Sequence, residues 1–265
     1  MTTHTPHRRS SPATHALRLH TAAAYLFLYA PIVVLIVLSF NSGRQATIWE
    51  GFSFKWYIAL AGNERLTAAA VNSLVVGGIA TVCSTVIGTL GAIGLTRYRF
   101  RGERFTGGLI YLPVVIPEIV LAVSLLAFYN AIGVRSMSLT TVVLAHIVFT
   151  VSYVAVVVKA RLAGLDRSIE EAAMDLGAGP IGAFVRVTLP RLVPGILAAA
   201  LLVLTLSLDD YVVTSLVSGI GSQTLPVEIY SMLRSRVDPQ ANAICSVLLV
   251  VTTLLIVPAQ RLLSR

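Results

Sequence analysis

Six apolar runs, at residues 22–40, 68–95, 109–130, 139–158, 194–217 and 243–260, are each long enough to cross a bilayer as a helix. At about 1.5 Å of rise per residue, roughly twenty residues span the ~30 Å of hydrocarbon. Runs such as Ile32 to Leu38 carry none of the polar alternation that a membrane barrel strand requires. Helices satisfy their own backbone groups where water is absent, so the expected fold is an all-α integral membrane protein with six transmembrane helices. The composition agrees: 56% of residues are hydrophobic and 12% charged, with a mean hydropathy of +0.82.

The basic residues orient the bundle. Arg8, Arg9 and Arg18 precede the first run, Arg97, Arg99, Arg101 and Arg104 follow the second, Lys159, Arg161, Arg167, Arg186 and Arg191 separate the fourth from the fifth, and Arg261 and Arg265 end the chain. These are 14 of the 20 basic residues, leaving Arg44, Lys55, Arg65, Arg135, Arg234 and Arg236 for the other side. The bias predicts that both termini are cytoplasmic. A net charge of +8 is then a basic skirt facing anionic lipid and calls for no nucleic-acid partner. The first run follows arginines, as a secretory signal does, but lacks a small-residue cleavage site and precedes further spans, so it is expected to remain an anchor. Residues 1–17, rich in Thr, Ser, Pro, His and Arg, read as a flexible cytoplasmic tail before a single membrane domain at 18–265.

Catalytic and metal motifs are missing. The chain has no Gly-x-x-x-x-Gly-Lys-Ser/Thr loop, no His-Glu-x-x-His and no Cys-x-x-Cys, and Cys83 and Cys245 fall in apolar runs as packing residues. Neither a catalytic residue nor a metal site is expected. Glycines 77, 78, 88, 91 and 94 give the second run a possible small-residue contact face. Trp49, Phe52, Phe54, Trp56 and Tyr57 in the outer connection suit a headgroup boundary. Residues 227–233 read as a short helix within a second outer connection at 218–242.

The connection at 165–193 carries the strongest local pattern. Ser168 can cap a helix entered by Ile169-Glu170-Glu171, and Glu171 has the spacing of a reciprocal capping box. Ile169, Ala172, Ala173 and Leu176 can share an apolar face, while Gly177, Gly179 and Pro180 end the turn. A second short helix is expected from Pro180, with Pro190 and Pro194 redirecting the chain into the next span. A helix lying on the bilayer surface would show similar periodicity, but the small residues and acidic first turn favour a shaped protein contact.

These residues resemble the cytoplasmic signature of the permease subunits of binding-protein-dependent ABC importers. Glu171-Ala172-Ala173, Gly177, Val187 and Leu189-Pro190 stand in that family's register, with Val187 where isoleucine is commoner. Asn72-Ser73-Leu74 also resembles a recurrent permease feature, and the likeness covers most of residues 20–263. The resemblance implies an ATPase-coupling helix containing Glu170, Glu171, Ala172, Ala173, Asp175 and Gly177. It further implies a second homologous permease, two ATPase subunits that bind ATP and Mg, and an extracytoplasmic substrate-binding protein, all at a bacterial cytoplasmic membrane; this chain itself would bind no cofactor. Met174 to Ala178, Leu206 to Thr214 and Thr224 to Met232 are most similar to spermidine/putrescine permeases, although relatives importing other small organic solutes share much of the pattern.

Acidic residues inside the apolar runs supply a candidate pathway. Asp209 and Asp210 lie about 15 residues into the fifth run, or about 22 Å along a regular helix, and Glu118 follows Pro113 and Pro117 in the third. Carboxylates are costly against lipid and should face protein, water or a cation. Adjacent helical residues diverge by about 100°, so one aspartate can reach the pathway while the other binds a neighbouring helix. Spaced carboxylates and aromatic faces suit a small cationic oligoamine, which makes Glu118, Asp209, Asp210, Tyr211, Glu228 and Tyr230 lining candidates. A purely structural network remains the alternative reading, and His146 is expected to be a hydrogen-bonded bundle residue. An intramembrane enzyme using Glu118 and the aspartates would need a nucleophile or cofactor that the sequence does not position.

Overall fold

The computed structural model describes residues 12–45, 48–235 and 239–263, and helices dominate it. In chain order these are α1 (Pro12–Ser39), α2 (Lys55–Ala61), α3 (Glu64–Arg97), α4 (Glu103–Val115), α5 (Glu118–Ala131), α6 (Leu139–Ala163), α7 (Ser168–Asp175), α8 (Pro180–Ala183), α9 (Leu189–Asp209), α10 (Val212–Val217), α11 (Leu225–Ser235) and α12 (Pro239–Leu263). A π-helical turn, Phe184–Thr188, joins α8 to α9. Among the described residues, five helical stretches are long and apolar enough to cross a membrane, and six if the bent pair α4–α5 counts as one. The tail expectation is shortened, because α1 already begins at Pro12; residues 1–11 lie outside the described residues.

Two spans depart from straight helices. The third, expected as one run over 109–130, is two helices bent by 114°. Ile116, the residue before Pro117, is extended at φ −73° and ψ 134°, because a proline ring disfavours the helical region for its predecessor. The pair still carries the chain across once: α3 ends beside α7, whereas α6 runs back toward α7 from the opposite end. The fifth span also differs from expectation. Pro180 to Asp209 is one helical path, so Pro190 and Pro194 lie inside it rather than turning it. The π turn explains the tolerance: Leu189 N–H reaches back five residues to Phe184 O, widening the helix just before a proline that cannot donate. The path stops at Asp209, short of the expected 217, and restarts as α10.

Helix α6 is the most buried span and packs between α3 and α9. One layer of the core joins Val76, Ala122, Val142, Ala145, Phe149 and Val213; a second joins Ala92, Val154, Val158, Leu192 and Val203. Ser84 and Thr150 share a 2.6 Å hydrogen bond across the α3–α6 seam. By contrast α1 packs against α12 and is otherwise exposed, as a lipid-facing helix is.

The glycines of α3 serve separate contacts rather than one face. Gly77 meets Leu204 and Leu208 of α9, Gly91 approaches Ile110 of α4, and Gly78 and Gly94 face open space. Gly88 makes the tightest of these approaches: a methyl there would stand 2.6 Å from Val154 Cβ and 2.8 Å from Val151 O. Gly88→Ala is therefore expected to cost about 1–3 kcal/mol through overpacking. Thermal unfolding in detergent should show the loss, with Gly94→Ala as the neutral control.

Candidate functional site

At one end of the bundle α7 lies against α8 and the π turn, and none of its eight residues is fully buried. Its start differs from expectation. Asp166 Oδ1 accepts the Ser168 N–H at 2.9 Å, so Asp166 supplies the cap, and the predicted Ser168–Glu171 box does not form. A carboxylate is the stronger acceptor at a positive helix end, and the Ser168 N–H bond holds Asp166 below its ordinary pKa. The far end follows the sequence. Gly177 adopts φ +91°, its N–H donates to Met174 O at 2.9 Å, and Ala178 N–H donates to Ala173 O at 3.1 Å, which together form a Schellman turn.

Glu170 points back into the protein. Arg97, the last residue of α3, gives it both guanidinium arms, Nη2 to Oε2 at 2.5 Å and Nη1 to Oε1. Thr188, closing the π turn, donates its hydroxyl to Oε2 at 2.5 Å. The Phe184 ring centroid lies 5.1 Å from Arg97 Cζ. In contrast Glu171, Ala172, Asp175 and Gly177 are exposed and Ala173 is half-buried. Around them lies an uncovered apolar surface, with Leu176 90% and Ile181 80% exposed beside Ile169 and Met174.

The Arg97 hydrogen bond, reinforced by Thr188 and opposed by desolvation, holds the Glu170 carboxyl below its ordinary range. A depressed folded-state value contributes stability that is present above the unfolded value of about 4.3 and is lost as pH falls below it. Limited proteolysis of the 165–190 connection should accelerate on acidification from about pH 5 to about pH 3, through the window below the unfolded value. Glu170→Gln should cleave faster at pH 6 and show a flatter profile.

The second site lies within the bundle, at the break between α9 and α10. Asp210 is 5% exposed and caps α10, accepting from Val213 N–H at 3.2 Å and from Thr214 N–H at 2.8 Å. Its Oδ2 also takes the Thr214 hydroxyl at 2.7 Å and lies 3.2 Å from His146 Nε2. His146 is fully buried; Nδ1 contacts Ser207 Oγ at 2.6 Å and Nε2 contacts Thr214 Oγ1 at 2.9 Å. Both ring nitrogens thus have a hydroxyl partner, and Nε2 also faces the carboxylate. Asp209, by contrast, is exposed. Glu118, the first residue of α5 after the Pro117 break, is exposed too and interacts with Asp210. The aspartates therefore separate by a change of backbone rather than along a continuing helix.

Tyr211 and Tyr230 bring their ring centroids to 4.5 Å, linking α10's entry to α11. Glu228 does not join the other acids. It is buried at the end of the bundle opposite α7, with Oε1 3.3 Å from Arg65 Nη2. There Asn72 Nδ2 donates to Gly221 O and Gln223 O, each at 3.0 Å, and Ser73 Oγ accepts from Leu225 N–H at 2.8 Å. Asn72-Ser73 thus pins the 219–225 connection to α3. The aromatic connection between α1 and α2 closes on itself, Phe40 stacking on Phe52 at 5.4 Å and meeting Tyr57 at 5.1 Å.

Sequence reasoning missed Arg97 and Thr188 as partners of Glu170, and Asp210 as the partner of His146. An arginine ending a span and a histidine inside one were visible signals, but nothing local names their partners.

A model of the family described as "Binding-protein-dependent transport system inner membrane component" matches residues 84–265. The spermidine/putrescine transport system permease protein PotC of Haemophilus influenzae is 39% identical over 236 residues, covering 89% of this chain and 91% of that protein. The putrescine transport system permease protein PotI of Escherichia coli is 42% identical over 231 residues, covering 85% and 82%. In fold, the chain is similar to a bacterial ABC transporter involved in import of the acidic polysaccharide alginate, with TM-score 0.72, 19% identity and coverage of 95% and 94%. It is also similar to the methionine ABC transporter MetNI in an inward-facing conformation, with TM-score 0.62, 19% identity and coverage of 80% and 98%.

Proposed function

We propose a cargo and an assembly for this chain, which belongs to the binding-protein-dependent transport system inner membrane components and is a multi-pass permease subunit of an ABC importer: it carries spermidine or putrescine. The observation that carries the mechanical half of this reading is α7, an exposed apolar and acidic turn held between two spans. A soluble ATPase subunit covering Leu176, Ile181 and Met174 would bury surface that is otherwise costly in water. The α7 end, and with it both termini, then faces the cytoplasm, in keeping with the basic residues on that side.

In the assembled importer this chain forms half of the pathway beside a second permease, an external receptor delivers cargo, and two ATPase subunits bind ATP and Mg. Closure of those subunits pushes on α7, and the membrane helices reorient in response. The cargo half rests on the names of relatives 39% and 42% identical to the chain and on the exposed carboxylates Glu118 and Asp209. Glu118, beside Asp210, and Asp209, two residues before Tyr211, can exchange water for successive ammonium groups of an amine chain. Asp210, spent on His146 and on capping α10, serves this pathway as a support.

Proteoliposomes holding the complete complex should take up labelled spermidine or putrescine only with ATP, and amine-loaded receptor should stimulate ATP hydrolysis. Stimulation by uncharged solutes with none by either amine would overturn the cargo.

A further inference from the structure

We infer that Arg97 and Thr188 are positioning residues that weld the coupling turn to the membrane helices, so that α7, the end of α3 and the entry of α9 move as one body. This inference rests on α7 being the surface that receives the push. Helix α7 buries none of its own residues, and its other neighbours are α8 and the π turn. Its polar anchor is therefore Glu170, which the planar guanidinium of Arg97 grips on both oxygens while Thr188 holds Oε2. A forked pair of charge-assisted bonds fixes orientation as well as distance, which a single contact does not.

Three elements thus meet at one carboxylate. Phe184, at the other end of the π turn, lies against the same guanidinium, so the turn is held at both ends. The direct chain link from α6 to α7 is a turn, with Leu165 packed on the core. Gly164 to Asp166 form a non-helical connection, and a cleft of about 160 Å³ separates the clasp from Leu162, Leu165 and Asp166. A push on α7 therefore reaches α9 along the chain, through α8 and the π turn, and reaches α3 through the Arg97–Glu170 side chains. Since α3 packs along both α6 and α9, displacing its end tilts the helix against the bundle centre.

The test uses the complete reconstituted importer. Arg97→Ala and Glu170→Ala should each raise the ATP hydrolysed per amine imported by roughly 2- to 30-fold, the span expected for residues along a coupling route. The exchanged pair Arg97→Glu with Glu170→Arg should recover much of the loss, and all three variants should assemble with the ATPase subunits to the unaltered extent, which a general folding defect would not allow. Paired cysteines at 97 and 170, with Cys83 and Cys245 replaced by alanine, are then bridged by a reductant-cleavable bis-thiosulfonate of the length of the native pair. Before bridging, this variant should show the raised ratio of the alanine variants; a ratio that returns toward the unaltered value on bridging supports the weld, and one that stays raised overturns it. Activity that stops on bridging and returns on reduction shows α7 sliding past α3 and overturns it. Hydrolysis is read with receptor isolated from cells, so failure of the amine assignment, seen as no uptake by the unaltered complex, stays separate from failure of the clasp.

Discussion

Asp210→Ala is expected to destabilise the chain by about 2–5 kcal/mol, the largest effect of any single substitution among the acids, because it removes a buried acceptor shared by Val213 N–H, Thr214 N–H, the Thr214 hydroxyl and His146. The loss has two parts. Without the carboxylate, Val213 N–H and Thr214 N–H have no acceptor at the start of α10, and a buried cap of this kind is worth about 1–2 kcal/mol. His146, fully buried, also loses the acceptor 3.2 Å from its Nε2. Against a typical total of about 5–15 kcal/mol, this is enough to lower the yield of folded protein.

Asp210→Asn should recover part of the stability, since its amide oxygen can still accept from both backbone donors. Asp209→Asn provides the contrast: that side chain is exposed, so unfolding should be unchanged while amine uptake falls. The combination is diagnostic. If Asp210→Ala kept its thermal stability in detergent and lost only transport, the acid would be a cargo contact and the buried network would be incidental.

Gly177→Arg is expected to abolish receptor-stimulated ATP hydrolysis in the reconstituted importer. At φ +91° a residue with a Cβ is strained by roughly 1–2 kcal/mol, and relief of that strain would unmake the turn formed by Gly177 and Ala178. The added side chain meets no atom of this chain within 4 Å at its Cβ, so the chain itself does not exclude it. It would instead project from the exposed surface that the ATPase subunit is proposed to cover. Gly177→Asn, which tolerates positive φ better, should keep more of the activity and separates backbone strain from a blocked contact. A Gly177→Arg complex that assembles and hydrolyses ATP at the unaltered rate would remove α7 from the coupling route.

What could be read in advance divides along the range of the interactions involved. The C-terminal stop of α7 is legible because a glycine after a short apolar face has a local meaning, whereas the 114° break at Pro117 interrupts a stretch whose apolar run is continuous. The start of α7 was misassigned between Ser168 and Asp166, two acceptors close enough that only the backbone path chooses between them. The end of the fifth span was misplaced because hydrophobicity continues through Val212 to Val217, while the backbone turns at Asp210 to place its carboxylate on His146.

By itself the sequence determined that this chain is a helical membrane protein with a polar turn of the permease pattern, since run length and residue spacing act over a few turns of helix. Only the tertiary structure decided which charges are paired and which are free. Arg97 finds Glu170 across 73 residues, and His146 reaches Ser207 across 61 and Thr214 across 68. Such bonds depend on where α3, α6, α7 and α9 come to lie beside one another, and burial there, rather than residue type, separates Asp210 as a support from Asp209 as an exposed acid.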